Sequence, residues 1–247
     1  MKIIDACVGF GPWGWRNPIL PGTTAEVIAI LDYCKIDAAV VYRNLPSVSG
    51  FNANAGLLRE INGDARFLPA FLLTPQTYDN DPSPKDYIAA IREANARVAW
   101  LRPAWQSHGM ASWAIGDLLK LCVTHRFPLF VPTDGGVNYD DVHRICSEFP
   151  ELRLVLTGIG YRADAYLFPL LRQHRELRIC LNYYCTTLAP ERFAQHFAVE
   201  RMIFGSGLPH CAPGGTIAMV AYSQLDDVAK QKIFAGNIQQ LMDEVRW

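Results

Sequence analysis

Apolar residues recur along the chain with two periods that take turns. Short runs rich in Val, Ile, Leu and Phe occupy 3–8, 38–42, 67–73, 98–102, 128–131, 152–156, 177–183 and 202–205. Their length and composition read as strands. Between them, at 24–34, 54–61, 85–96, 112–125, 139–148, 163–175 and 190–199, the apolar positions fall three and four residues apart, and a last stretch of this kind covers 226–245. That spacing gathers them on one face of a helix. Thr23-Thr24-Ala25-Glu26 and Ser83-Pro84-Lys85-Asp86 carry the signals of helix N-termini, the second with Pro at the first helical position. Eight strands alternating with helices, taken as parallel, predict an α/β chain folded as one (β/α)8 TIM barrel, a single domain over 1–247. The competing fold is a doubly wound open sheet, which usually carries a glycine-rich phosphate turn after its first strand. Gly9-Phe10-Gly11-Pro12-Trp13-Gly14 is glycine-rich, but Pro12, Trp13 and nearby Trp15 make it a poor fingerprint.

Composition narrows the partners. With 247 residues, half of them apolar, the chain can bury one large core. A formal net charge of −1 leaves no electrostatic footprint for nucleic acid or an anionic membrane. No apolar run approaches the roughly 18 residues of a membrane span. Met1-Lys2-Ile3-Ile4-Asp5 enters a strand with no signal-peptide pattern before it, so a cytoplasmic location is expected. The seven cysteines are odd in number, scattered and free of C-x-x-C pairs, which reads as reduced thiols. Cys34, Cys122 and Cys146 fall in helical patterns and read as packing residues.

The first strand, Ile3-Ile4-Asp5-Ala6-Cys7-Val8-Gly9, has the frame of a hydrophobic strand ending in D-x-H-x-H, with both histidines replaced. Further segments follow in order: 52–58 with 65–70, Trp100-Leu101-Arg102-Pro103, Phe127-Pro128-Leu129-Phe130-Val131, and 149–156. Gly205-Ser206-Gly207-Leu208-Pro209 has the frame of G-S-D-x-P, and Ile233-Phe234-Ala235-Gly236-Asn237-Ile238 the look of a terminal helix. Together they resemble the amidohydrolase-2 branch of the amidohydrolase-related superfamily, which includes aminocarboxymuconate-semialdehyde decarboxylase and the pyrone dicarboxylate lactonases. The resemblance spans nearly the whole chain and implies a barrel of the metal-dependent hydrolase type. It also implies where metal ligands would stand. The first-strand histidines fall on Cys7 and Gly9, the fifth-strand histidine on Pro132, the sixth on Gly158 and the eighth-strand aspartate on Gly207. Proline and glycine cannot ligate, and an offset of one residue brings up only Thr133 or Thr157, neither a usual zinc ligand. No metal and no other cofactor is therefore expected.

Chemistry then rests on the other residues near the strand ends. Arg102 is the candidate for binding a substrate carboxylate through its guanidinium, or else pairs with a loop carboxylate. Asp134 is a candidate general base, or simply opens an Asp-Gly-Gly turn. His210 is the acid–base candidate, because it follows the end of a strand. His125, His143, His174 and His196 fall on helices, and His108 lies in the loop after strand four. Asn182, Tyr184 and Ser206 are candidates for contacting substrate. Cys7 reads as a pocket residue with three roles open: a nucleophile partnered by His210, a metal ligand with Cys185, His210 or Cys211, or a small buried hydrophobe. Gly9, Gly158 and Gly207 either enlarge the mouth for a ligand or for an inserted Trp13 or Trp15, or record the decay of an unused site. The expected function is a metal-independent hydrolase, lactonase or lyase for a small carboxylate-bearing molecule. The alternatives are a catalytically silent barrel that binds a small molecule or protein, and an unorthodox Cys/His metal site. Oligomeric state stays open, a homo-oligomer included.

Overall fold

The structure, a computed structural model, describes residues 1–11, 20–44, 50–76, 81–103, 109–134 and 137–247. Trp13, Trp15 and His108 lie outside them. Eight strands, β1 Ile4–Phe10, β2 Ala38–Arg43, β3 Phe67–Leu72, β4 Val98–Trp100, β5 Leu129–Pro132, β6 Leu154–Thr157, β7 Arg178–Cys180 and β8 Met202–Ile203, pair in sequence order, and every pair is parallel. The helices α1 Thr24–Tyr33, α2 Gly50–Ile61, α3 Pro84–Glu93, α4 Ser112–His125, α5 Tyr139–Glu148, α6 Asp164–Gln173 and α7 Ala189–Ala194 alternate with the strands. This is the expected (β/α)8 TIM barrel. Both anticipated N-termini are capping boxes, Thr23 with Glu26 and Ser83 with Asp86, each pair satisfying two backbone N–H groups at a helix start. Among the described residues no helix is long and apolar enough to cross a membrane.

The chain after β8 departs from expectation. Helix α8, Pro213–Ala221, was hidden by the Pro-Gly-Gly that opens it, residues that argue for a turn. The helix expected over 226–245 is divided into α9 Asp227–Gln231, a π-helical turn Lys232–Gly236 and α10 Asn237–Asp243. Asn237 holds this segment in place: its buried amide donates to Val199 O at 2.8 Å and Met202 O at 2.7 Å. Strands β4, β7 and β8 end earlier than their apolar runs, because the last residues of each leave the sheet at the barrel mouth.

Closure of the barrel runs through the first and last strands. Ala6 N–H donates to Phe204 O at 3.0 Å and Gly207 N–H to Cys7 O at 3.1 Å, and Val8 bridges Leu208. The β1–β2 register shifts between Asp5 and Val8, a bulge that re-aims side chains beside the mouth. The Asp5 carboxylate sits at this seam, fully buried, with Oδ1 accepting from Cys7 N–H at 3.1 Å and Ser206 N–H at 2.9 Å. Burial pushes its pKa up to about 6, against the pull of the Ser206 and Cys7 hydrogen bonds.

A folded-state pKa above the unfolded one means that the native protein holds its proton longer as pH rises. Between the ordinary value of 3.8 and about 6, native Asp5 therefore costs stability with rising pH, in total on the order of 2–3 kcal/mol. Asp5→Asn keeps an Oδ1 acceptor and removes the charge. Urea unfolding should show the variant gaining on the wild type across that window and holding its advantage above it. Parallel stability curves would refute the assignment.

Candidate active site

Strand alternation builds the site from below. Val40 and Tyr42, Ala70 and Leu72, Val98 and Trp100, with Phe130, Val155 and Cys180, form one buried cluster that fills the barrel lumen. Its top is aromatic. The Trp100 ring lies 4.1 Å from Tyr42 and 5.4 Å from Phe130, centroid to centroid. One alternation step higher come Arg102, Pro132, Thr157 and Asn182, and here the packing opens into a cavity of about 200 Å³. Cys7, Tyr42 and Trp100 line it from β1, β2 and β4. Asp134 enters from the turn after β5, and Tyr183, Gly207 and His210 complete the wall after β7 and β8.

Arg102 is buried, with its guanidinium carbon 5.1 Å from the Tyr42 ring centroid, a face that favours a cation. Burial lowers its pKa, and the nearby Tyr42, Cys7 and Asp134 oppose that. Asp134 reaches solvent at the rim, and its carboxylate lies over Gly158. An ideal β-carbon on Gly158 would lie 2.5 Å from Asp134 Oδ1 and 2.6 Å from Cγ. Thr133 clamps the same turn, donating from N–H to Thr157 O at 2.9 Å and from Oγ1 to Gly158 O at 2.9 Å. Burial pushes the Asp134 pKa above the ordinary carboxylate value, with the Arg102 charge pulling against it. His210, also at the rim, is held below the ordinary imidazole value by burial and then by Arg102. Near neutral pH it is a neutral base.

The remaining sequence candidates divide. Asn182 lines the cavity, and its Oδ1 accepts from Gly158 N–H at 3.4 Å. Cys7 lines it as well. Its thiol is hydrogen-bonded with that of Cys180, and this hydrogen bond, burial and the Cys180 and Asp5 charges push it well above its ordinary value. A thiol so held is not a nucleophile at neutral pH. Tyr184 is not part of the cavity wall: its hydroxyl donates to Asp164 at 2.6 Å, and Asp164 also pairs with Arg192 at 3.3 Å. The neighbouring Tyr183, at a positive φ of 62°, takes its place at the mouth. Ser206 likewise serves the barrel seam, with its N–H on Asp5 and its Oγ accepting from Leu208 N–H at 3.0 Å. Sequence reasoning missed Tyr42 and Trp100, although stepping back two residues from Arg102 along its strand reaches Trp100.

The glycines admit the protein's own polar side chains. A β-carbon at Gly9 would collide with the Asn44 amide and come 3.2 Å from Pro209 Cδ, and the one at Gly158 would strike Asp134. Two of the five ligand positions implied by the resemblance, Gly9 and Gly158, thus have their side-chain space taken by Asn44 and Asp134. Among the described residues no group of three or more His, Cys, Asp or Glu side chains is placed to hold a metal ion. The donor set that the described residues offer does not fit the divalent cation of a metal-dependent hydrolase.

No family model matches the chain, and no curated protein matches it in sequence. Solved structures do match over its full length. An uncharacterized TIM-barrel protein from Bordetella bronchiseptica aligns at a TM-score of 0.75 with 16% identity, covering 99% of both chains. The 5-carboxyvanillate decarboxylase of Sphingomonas paucimobilis aligns at 0.73 with 11% identity, over 98% of this chain and 99% of its own. A probable 2-pyrone-4,6-dicarboxylic acid hydrolase from Acinetobacter baumannii, with citric acid bound, aligns at 0.71 with 14% identity, over 98% and 100%. The chain shares their barrel. Other matches are named as dihydroxybenzoate decarboxylases, a 4-oxalomesaconate hydratase and a putative amidohydrolase. The fold comparison and the sequence motifs thus lead to the same kind of barrel.

Gly158→Ala tests the seating of Asp134. The added methyl meets the carboxylate, and the backbone φ of +65° is one that alanine avoids. The variant should lose about 1 kcal/mol or more of stability, and its crystal structure should show Asp134 turned away from the cavity. An unmoved carboxylate would contradict this packing.

Proposed function

We propose that the barrel mouth binds a small carboxylate-bearing molecule and acts on it by acid–base chemistry without a metal ion, as a hydrolase, lactonase or lyase in the cytoplasm. One observation carries this reading: a single cavity brings a buried guanidinium, Arg102, together with a carboxyl and an imidazole, Asp134 and His210. Arg102 anchors the substrate carboxylate by charge-assisted hydrogen bonds. Tyr42 and Trp100 form an apolar floor beneath it, and about 200 Å³ suits a molecule of one small ring. His210, neutral near pH 7, accepts a proton from a water or a substrate carbon. Asp134, with its pKa raised by burial, exchanges protons on the facing side. The decarboxylase and hydrolase neighbours are named for carboxylic acids, which supports a carboxylate as the ligand class but not the number of carboxylates.

A screen of lactones and small aromatic or unsaturated carboxylates, read as turnover, tests the proposal. Arg102→Ala should weaken binding or kcat/KM at least tenfold, as expected for a lost charge-assisted bond of about 1.5–3 kcal/mol. His210→Ala should lower kcat with little change in KM. A chelator should leave the rate intact, and elemental analysis should find less than stoichiometric metal. Binding that depends on Arg102 but gives no turnover on any substrate would mark a silent, ligand-binding barrel instead.

A further inference from the structure

Asp134 shares one cavity with the guanidinium of Arg102, so an anion that arrives at Arg102 arrives beside it. Its carboxylate occupies the space that a β-carbon on Gly158 would take, and Thr133 ties its turn to the end of β6 by two bonds of 2.9 Å. The cavity of about 200 Å³ is only about 7 Å across if round, shorter than the screening length of about 8 Å in physiological salt. A ligand carboxylate inside it therefore stands within unscreened reach of Asp134. The groups facing Asp134 are Arg102 from β4, Tyr42 from β2, Cys7 from β1, Tyr183 after β7 and His210 after β8. Of these, Arg102 alone is cationic at neutral pH. An incoming anion thus sets two carboxylates beside one guanidinium, and their mutual repulsion raises the proton affinity of the pair.

We propose, building on the carboxylate-binding role above, that a small monocarboxylate enters this cavity together with one proton from solvent, taken up by the Asp134 carboxylate at its rim. The ligand holds the guanidinium through two oxygens, the better geometry for that pair, and Asp134 adds an O–H bond. Burial already favours the neutral form of Asp134. His210 competes poorly for the proton, since burial and Arg102 both disfavour its cation. Binding thereby converts Asp134 from an acceptor into a donor: the group is an acid once the site is filled and a base while it is empty. Such a site discriminates against a second negative charge on the ligand.

Benzoate is a suitable probe, with uncharged benzamide as its control. Titration calorimetry in two buffers of different ionisation heat, above the ordinary carboxylate range, measures the protons exchanged. Benzoate should take up close to one proton per molecule bound, with affinity falling by up to about tenfold per pH unit as pH rises, and benzamide none. Asp134→Asn should bind benzoate at least as tightly, with no uptake and no pH dependence. Wild-type binding without proton uptake would overturn the proposal and leave the carboxylate site standing. Uptake that persists in Asp134→Asn and vanishes in His210→Asn would also overturn it, by moving the proton to the imidazole. Failure of wild type and Asp134→Asn alike to bind benzoate, with both folded by circular dichroism, would count against the carboxylate site itself.

Discussion

The height at which the lumen stops being filled decides where this protein has room for chemistry. A closed sheet sends every second side chain inward, and below Trp100 those side chains are apolar and close-packed. The large ring of Trp100, stacked between Tyr42 and Phe130, is the last full layer. Everything polar in the site stands on that floor. Arg102 follows two residues later on the same strand, Thr157 and Asn182 sit at the corresponding height, and Asp134 and His210 come from the turns above. The floor excludes water from beneath the guanidinium, and the Tyr42 face stabilises its charge.

The electrostatics above the floor form one system. Asp134 is coupled to both Arg102 and His210, and Arg102 also acts on His210, so the carboxyl and the imidazole have no proton affinity independent of their neighbours. Cys7 and Tyr42 contribute by staying neutral: the hydrogen bond with Cys180 and then burial push the Cys7 thiol well above its ordinary value, and burial does the same to the Tyr42 hydroxyl. The seam residues Asp5 and Ser206 are near in sequence or space but belong to barrel closure, where their hydrogen bonds join strand to strand. This division between groups that close the sheet and groups that face the cavity explains why adjacent residues such as Ser206 and Gly207, or Tyr183 and Tyr184, have different work.

Much of the architecture was legible in the sequence, because apolar period and parallel strand order are dictated by burial. Arg102, Asp134, Asn182, Cys7 and His210 could be placed at one mouth on strand order alone, and the cavity gathers all five. Tyr184 was misplaced because strand β7 ends at Cys180 and the chain then turns, so extrapolating its alternation past that point loses phase. Helix α8 was missed because its first residues are poor helix formers that tertiary packing overrides. The glycines at the mouth announced a close approach, but not by which side chain. Asn44 and Asp134 arrive there from other strands, a relation that no local pattern encodes.

Those occupied glycines also limit what can be built into this mouth by design. A histidine introduced at 158 would find Asp134 in its space, and one introduced at 9 would find Asn44. Neither imidazole enters unless the facing side chain gives way, and a lone imidazole would still lack the companions a cation needs. Engineering a metal centre here therefore means rebuilding facing positions in pairs, not one residue at a time.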